Sequence, residues 1–198
     1  MGFSQFKLSL AEKGLIPDKV LRWGMRRLCQ QRLVQERSKN QAGIRRDESL
    51  EIAVETTAAN EQHYEVPAEF YEMVLGINRK YSCCWWDAET ENLDAAEELA
   101  LARTVANAGV QDGMQILDLG CGWGSLTVWL AERFPNVEVT AISNSNSQRE
   151  YIDLRLQEKG LGNRVKLITA DINAFEPNRQ FDRIISVEMM EHVRNHSR

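Results

Sequence analysis

Two hydrophobic patterns alternate along the chain from Leu93 onward. Apolar residues recur three and four positions apart over residues 93–108, which predicts a helix that Gly109 ends. Helical spacing returns over residues 125–134 and 147–159. Short β-type apolar runs predict four strands, at residues 114–119, 137–142, 165–169 and 181–187. The alternation predicts an α/β fold of right-handed parallel βαβ units, a Rossmann-like sheet with its ligand crevice at the carboxyl ends of the strands.

The amino-terminal third is distinguished by its charge. Residues 19–46 hold nine basic residues and one acid, whereas residues 47–78 hold eight acids and no lysine or arginine. Pro17 and Asp18 can begin a helix, and the apolar residues that follow recur at helical spacing between arginines. This segment either packs as a helix with a solvated basic face or contacts an anionic membrane surface. We therefore predict three regions: a basic helical segment (1–46), an acidic connector (47–62) and a main domain (63–198).

Composition narrows the class of protein. The 198 residues carry a formal net charge of −5, which argues against a nucleic-acid partner. No apolar run approaches the roughly 18 residues of a membrane span, and the first residues lack the apolar stretch of a signal peptide. The four cysteines form no C-x-x-C pair, so we expect a reduced protein of the cytoplasm. Cys83 and Cys84 are adjacent and their side chains diverge, so no metal site is expected.

The turn at residues 118–124 carries the most informative chemistry, because its D-x-G-x-G-x-G spacing ends a predicted strand and opens a predicted helix. A dinucleotide-binding oxidoreductase would need Gly or Ala at position 125, where this chain has Ser125. Its ribose-binding acid is also missing, since Ser143 and Asn144 occupy that place. No G-K-[ST] sequence follows, which argues against a nucleoside triphosphate. The spacing instead resembles motif I of class I S-adenosylmethionine-dependent methyltransferases.

Further motifs narrow that resemblance. They occur in one order: H-Y-E-V-P (63–67), F-Y (70–71), Y-S-C-C-W (81–85), the glycine turn, S-x-x-Q (145–148) and E-M-M-E-H (188–192). This order resembles the cyclopropane-fatty-acid synthase family, which also contains the coclaurine N-methyltransferase-like enzymes, over about residues 60–194. The E-V-P and E-M-M-E-H sequences are more similar to the N-methyltransferase-like branch.

The resemblance implies a site for S-adenosyl-L-methionine. Asp118, Gly120, Cys121 and Gly122 would lie at its amino-acid end, and Tyr81 and Ser82 would approach the sulfonium and carboxylate side. The remaining cofactor contacts implied are with the ribose (Ser143, Asn144, Gln148) and with the adenine (Asp171, Ile172).

Several of these residues also have ordinary structural explanations. Tyr81 and Trp85 could be core aromatics, Asp171 could cap the next segment, and Cys121 could be a small packed residue rather than a nucleophile.

A second group, Glu188, Glu191 and His192, follows the fourth predicted strand. On a helical turn, Glu191 and His192 would share a face with Glu188. Close carboxylates raise one carboxyl pKa, so the group could act as a base that removes a proton from the methyl acceptor. The structural alternative is a helix start with acids in its first turn.

The resemblance leaves more than one function open. An amine or another small nucleophile could accept the methyl group, with the Glu/His group taking its proton. Alternatively, the alkene of a lipid acyl chain could be cyclopropanated, a step for which relatives use a bound bicarbonate. Family members continue well past the E-H pair, so the fourth strand is expected at a sheet edge. The chain could then be a fragment that binds cofactor without catalysis.

Overall fold

A four-stranded parallel sheet lies at the centre of the part of the chain that the structure describes. The structure is a computed structural model, and it describes residues 9–40, 51–53 and 67–195. The strands are β1 (Gln115–Leu119), β2 (Glu138–Ser143), β3 (Val165–Thr169) and β4 (Arg183–Ile185). Their spatial order is β3-β2-β1-β4, and every pairing is parallel. The direction of strand addition therefore reverses beside β1, and a ligand crevice is expected at the carboxyl ends of β1 and β4.

Five helices of seven or more residues and two short 3₁₀ turns have both ends within the described residues. The helices are α1 (Asp18–Asn40), α2 (Ala68–Val74), α3 (Leu93–Ala108), α4 (Ser125–Arg133) and α5 (Asn146–Glu158). The 3₁₀ turns lie at Gly162–Arg164 and Met190–His192. Capping fixes both ends of α3, because Asn92 Oδ1 accepts the Ala95 N–H at 2.9 Å and Gly109 closes the helix with a φ of 61°.

The core lies on both sides of the sheet, as expected of a parallel sheet covered by helices. The centre of β1 is buried, and five of the six residues of β2 are buried. Six consecutive residues of α4, Leu126–Ala131, are also buried. A helix that is buried all round belongs to the interior of its domain, so α4 holds the glycine turn that precedes it in a rigid setting.

The Rossmann-like sheet predicted from the sequence is confirmed, and most element bounds agree within two residues. The bounds of α3 and β3 are as predicted. The fourth strand is shorter than predicted, because only Arg183–Ile185 pair with β1 and the chain then leaves the sheet. Glu188, which lies past the end of this strand, has a φ of 55°, a left-handed conformation that no strand continues through.

The chain divides into two compact units, Met1–Asp47 and Glu48–Arg198. In the first unit, α1 begins at Asp18, as the sequence predicts. Most of the predicted connector 47–62 and the residues 63–66 of the H-Y-E-V-P motif lie outside the described residues. No helix in the described ranges is both long enough and apolar enough to cross a membrane.

Candidate functional site

The glycine turn after β1 forms the floor of the site. The N–H groups of Gly120 and Cys121 donate to the Ile142 carbonyl at 3.0 and 2.9 Å, which ties the turn to the end of β2. A Cβ on Gly124 would lie 2.7 Å from Ile152 Cγ1, so this glycine permits close helix packing. A Cβ on Gly122 would meet no atom within 4 Å, and its φ is 52°. Gly122 therefore presents bare backbone to open space, where a ligand can approach closely.

A cavity of about 390 Å³ lies at this turn, at the carboxyl ends of β1 and β4. Its volume is in the range of small-molecule sites. Nine of the residues singled out in the sequence line it: Tyr81, Ser82, Asp118, Gly120, Cys121, Gly122, Glu188, Glu191 and His192. The structure thus brings the glycine turn and the Glu/His group, about 70 residues apart in sequence, to one cavity.

Asp118 is the buried acid of this cavity. Its side chain is 3% exposed, and Thr127 Oγ1 donates to its Oδ2 at 2.6 Å. Burial raises the pKa of Asp118 from 3.8 to about 6, against the opposing effect of the Thr127 hydrogen bond. A buried carboxylate of this kind gains most from a cationic ligand, because a positive charge removes the cost of its desolvation.

Five other predicted contacts do not line this cavity: Ser143, Asn144, Gln148, Asp171 and Ile172. Ser143 ends β2, Asn144 follows it, and Gln148 lies in the first turn of α5, whereas Asp171 and Ile172 follow β3. Strands β2 and β3 lie on the other side of β1 from β4. Ser143 Oγ donates to Gln148 Oε1 at 2.5 Å, and both residues are buried. Gln148 Nε2 is buried and has no hydrogen-bond partner among the described residues. It is a donor that a ligand hydroxyl could satisfy.

Asn144 is exposed, whereas Asp171 and Ile172 are half-buried. Asp171 Oδ1 accepts the Asn173 N–H at 2.8 Å, which is the capping geometry that the structural alternative predicted.

Glu188 reaches the cavity by a route that differs from the predicted one. Its backbone is left-handed, and the 3₁₀ turn begins only at Met190, so the expectation of a shared helical face with Glu191 and His192 is wrong. Its Oε1 instead accepts the N–H of Cys83 at 3.0 Å and the Cys83 Sγ–H at 2.8 Å. Both hydrogen bonds lower the pKa of Glu188, and the bond from the thiol has the larger effect. The expectation of a Glu188 carboxyl pKa raised by a neighbouring carboxylate is thus corrected.

Two charged residues that the sequence reasoning missed support the same wall. Glu97 is 0% exposed, and its carboxylate accepts the backbone N–H groups of Gly76, Asn78 and Lys80 at 2.8–3.1 Å. Lys80 is 5% exposed and lines the cavity. The position of Glu97 on the apolar face of α3, beside Ala96 and Leu101, was a usable signal, since a charge on such a face needs partners.

Tyr81, which lines the cavity, and Trp85, which does not, are both partly exposed. Tyr81 is 47% exposed and packs edge-on against Tyr71, with ring centres 4.9 Å apart. Trp85 is 49% exposed, and Arg103 lies over its ring. The interpretation of Tyr81 and Trp85 as core aromatics is therefore wrong. Cys121 is buried in the hydrophobic core, and burial raises the pKa of its thiol, which favours its interpretation as a packed residue.

The sequence matches one family model and individual proteins of known function. The family described as mycolic acid cyclopropane synthetase matches residues 53–198. An (S)-coclaurine N-methyltransferase of Thalictrum flavum subsp. glaucum is 34% identical over 201 residues, covering 96% of this chain and 54% of the relative. A cyclopropane-fatty-acyl-phospholipid synthase of Escherichia coli (strain K12) is 33% identical over 132 residues, covering 67% of this chain and 32% of the relative.

A solved structure shows the same likeness in three dimensions. A coclaurine N-methyltransferase bound to N-methylheliamine and SAH (S-adenosylhomocysteine) superposes with a TM-score of 0.81 at 33% identity, covering 98% of this chain and 58% of that one. The chain spans about half the length of the curated N-methyltransferases it matches.

Proposed function

The chain belongs to the mycolic acid cyclopropane synthetase family, and from that membership we propose that it carries out S-adenosyl-L-methionine-dependent methyl transfer to a small amine or a similar heteroatom nucleophile. The single observation that carries the proposal is the cavity itself. It joins the glycine turn and buried acid of a cofactor site to two carboxylates and an imidazole. The similarity to N-methyltransferases over nearly the whole chain supports the amine as acceptor.

The residues present fit this cofactor. S-adenosyl-L-methionine supplies a methyl group on a cationic sulfur, next to an amino-acid end that carries both an ammonium and a carboxylate. Asp118 offers a buried carboxylate for the ammonium, and Gly122 leaves open space at the floor of the cavity. Gln148 Nε2 is a donor without a partner in the described ranges, which suits a ribose hydroxyl. We also propose that Ser143 and Asn144 contact the ribose and that Asp171 and Ile172 contact the adenine.

The Glu/His group divides into two tasks under this proposal. The Cys83 bonds lower the pKa of Glu188, so its carboxylate is a weaker base and attracts a cationic amine rather than taking its proton. Glu191 and His192, on the 3₁₀ turn beside it, are exposed at the cavity and take the proton that the amine must lose before attack. The half-exposed Tyr81 ring favours a nearby positive charge by cation–π attraction.

The experiment offers the purified protein labelled S-adenosyl-L-methionine with either a panel of small amines or vesicles of unsaturated phospholipid. We expect methylated amine and no labelled lipid. Labelled methylene in the lipid, without methylated amine, would assign cyclopropanation instead, with bicarbonate as a further requirement. Cofactor binding without transfer to either acceptor would indicate that these residues form a binding fragment only.

We also propose where the protein works and what else it meets. The helix α1 exposes Trp23, Leu28 and Leu33 between arginines, which suits peripheral contact of the segment 19–46 with an anionic membrane. Cys29, Cys83, Cys84 and Cys121 are all free thiols, which supports the cytoplasm as its compartment. The net charge of −5 supports the absence of a nucleic-acid partner.

A further inference from the structure

Lys80 places a buried positive charge in the wall of the cavity. Its side chain is among the buried polar groups, and its Nζ donates to Ser82 Oγ and, at 2.9 Å, to the Cys83 carbonyl. No ion pair among the described residues includes Lys80. An ammonium has three N–H donors, so one of them has no partner in the described ranges.

A charge in this position is costly unless something compensates for it. Moving an ammonium out of water carries a large desolvation penalty, which is normally offset by an opposite charge. The Glu188 carboxylate interacts with this charge, since Lys80 contributes to the lowered pKa of Glu188, but the two atoms that Lys80 Nζ is hydrogen-bonded to are neutral oxygens, which offset only part of the penalty. The backbone N–H of Lys80 donates to the buried Glu97 carboxylate, which holds the Lys80 side chain beside the cavity. An anionic group of a bound ligand is the natural partner for such a charge.

Ser82 extends the same surface. Because its Oγ accepts from Lys80, the hydroxyl proton of Ser82 is left to donate to a third group. Both residues line the cavity. An ammonium and a hydroxyl donor side by side match the two oxygens of a carboxylate, and hydrogen bonds of this charged type are the strong ones. The other cation of the wall, Arg79, donates to Tyr151 Oη at 3.1 Å and to the Gly76 carbonyl at 2.5 Å.

We propose that Lys80 is a ligand-binding residue that recognises, together with Ser82, the carboxylate at the amino-acid end of the cofactor. This inference rests on the proposed function and assigns to Lys80 the charge that selects that end. Asp118, in the same cavity, then takes the ammonium of the same zwitterion. Opposite charges on the two groups fix the orientation of the amino-acid end, because the reversed placement would bring like charges together.

The test is titration calorimetry with three ligands. S-adenosylhomocysteine carries both the ammonium and the carboxylate, its decarboxylated analogue keeps only the ammonium, and 5′-methylthioadenosine has neither. The variants are Lys80→Met, which fills a similar volume without charge, and Ser82→Ala. Lys166→Met is the matched control, since it removes an exposed lysine of β3.

Lys80→Met should weaken the binding of S-adenosylhomocysteine by roughly 10-fold or more, as expected for a lost hydrogen bond to a charged group. Its affinity for the decarboxylated analogue and for 5′-methylthioadenosine should change less than about 2-fold. Ser82→Ala should show the same selectivity with a smaller loss, and Lys166→Met should match the wild type.

Two results would overturn the inference and leave the proposed function standing. One is an equal loss of affinity for all three ligands in Lys80→Met, which would show that Lys80 only stabilises the loop. The other is unchanged S-adenosylhomocysteine binding in Lys80→Met. If the wild-type protein binds none of the three ligands, the proposed function fails, and the inference fails with it.

Discussion

The N–H and the thiol of Cys83 both donate to one oxygen, Oε1 of Glu188, at 3.0 and 2.8 Å. The two residues are 105 positions apart in sequence, and their contact joins the segment after β4 to the loop that carries Lys80 and Ser82. It closes one wall of the cavity and lowers the pKa of the Glu188 carboxyl. The carboxylate is therefore suited to attracting a cation, which leaves Glu191 and His192 as the candidates for proton removal.

The first prediction separates these roles by kinetics. Glu191→Gln and His192→Ala should each lower kcat by roughly 10²-fold or more, because a general base contributes that much to a proton transfer. Their affinity for S-adenosylhomocysteine should be little changed. Glu188→Gln should act mainly by raising KM for the amine. A Glu188→Gln variant that loses kcat as strongly, with KM unchanged, would show that Glu188 is the base.

The second prediction concerns Asp118 and pH. Its pKa is raised from 3.8 unfolded to about 6 folded, so the stability it contributes is complete below pH 3.8 and is lost as pH rises through 6. That shift corresponds to about 3 kcal/mol. Without ligand, Asp118→Asn should therefore be more stable than the wild type at pH 7.5 by up to about 3 kcal/mol, with the difference vanishing near pH 4.

Thermal unfolding of both proteins across this pH range measures the difference. The same Asp118→Asn variant should bind S-adenosylhomocysteine at least about tenfold more weakly, because a neutral amide replaces the partner of the ammonium. A stability difference that does not change with pH would contradict the assignment of the raised pKa to Asp118.

The third prediction concerns Glu97, whose carboxylate accepts three backbone N–H groups in the loop before Tyr81. Glu97→Gln replaces one acceptor oxygen by an NH₂ group that faces N–H donors. We expect a loss of about 1–3 kcal/mol in the free energy of unfolding, measured by urea titration. Glu150→Gln, an exposed change on α5, is the control and should alter stability by less than about 0.5 kcal/mol. Equal effects of the two substitutions would argue against this role of Glu97.

The fourth prediction concerns the exposed face of α1. If the segment 19–46 meets an anionic membrane, the protein should sediment with anionic vesicles and be released steeply as salt rises, because screening weakens the attraction. Arg26→Gln combined with Arg27→Gln should reduce this association, and neutral vesicles should bind little. Equal sedimentation with neutral and anionic vesicles would leave α1 with a solvated basic face and no membrane role.

The parallel sheet and the floor of the site could be predicted because their signals are local. The apolar period of α3 and its glycine stop fixed that helix to the residue, and the spacing of glycines over 118–124 located the turn. The conformation of Glu188 could not be predicted in this way. The residues around Glu188 have the sequence pattern of a helical turn. In the structure its backbone is left-handed, and its side chain accepts hydrogen bonds from Cys83, a residue distant in sequence.

Lys80 and Glu97 were not predicted as residues of the site. Each is a charged residue of a type that is seldom buried. The place of Glu97 on the apolar face of α3 signals that it needs partners, but not that they are the backbone N–H groups of residues 76–80. The sequence around Lys80 does not show that its side chain is buried against Ser82 and Cys83. The cavity likewise gathers residues of separate segments, so its composition became visible only once β1 and β4 lay side by side.

Under the proposed function, the glycine turn binds an amino-acid-bearing nucleoside. The control for this binding compares two glycines with positive φ and open space at the Cβ position, Gly122 in the turn and Gly160 just after α5. Gly122→Val and Gly160→Val impose similar backbone strain, and only Gly122→Val places methyl groups in the cavity. Circular dichroism should show both variants folded.

The most direct measurement is calorimetric titration of the wild-type protein with S-adenosylhomocysteine and, separately, with NAD. We predict saturable binding of S-adenosylhomocysteine that Gly122→Val abolishes and Gly160→Val retains, with no measurable binding of NAD. Tighter binding of NAD, or S-adenosylhomocysteine binding that survives in Gly122→Val, would contradict the account.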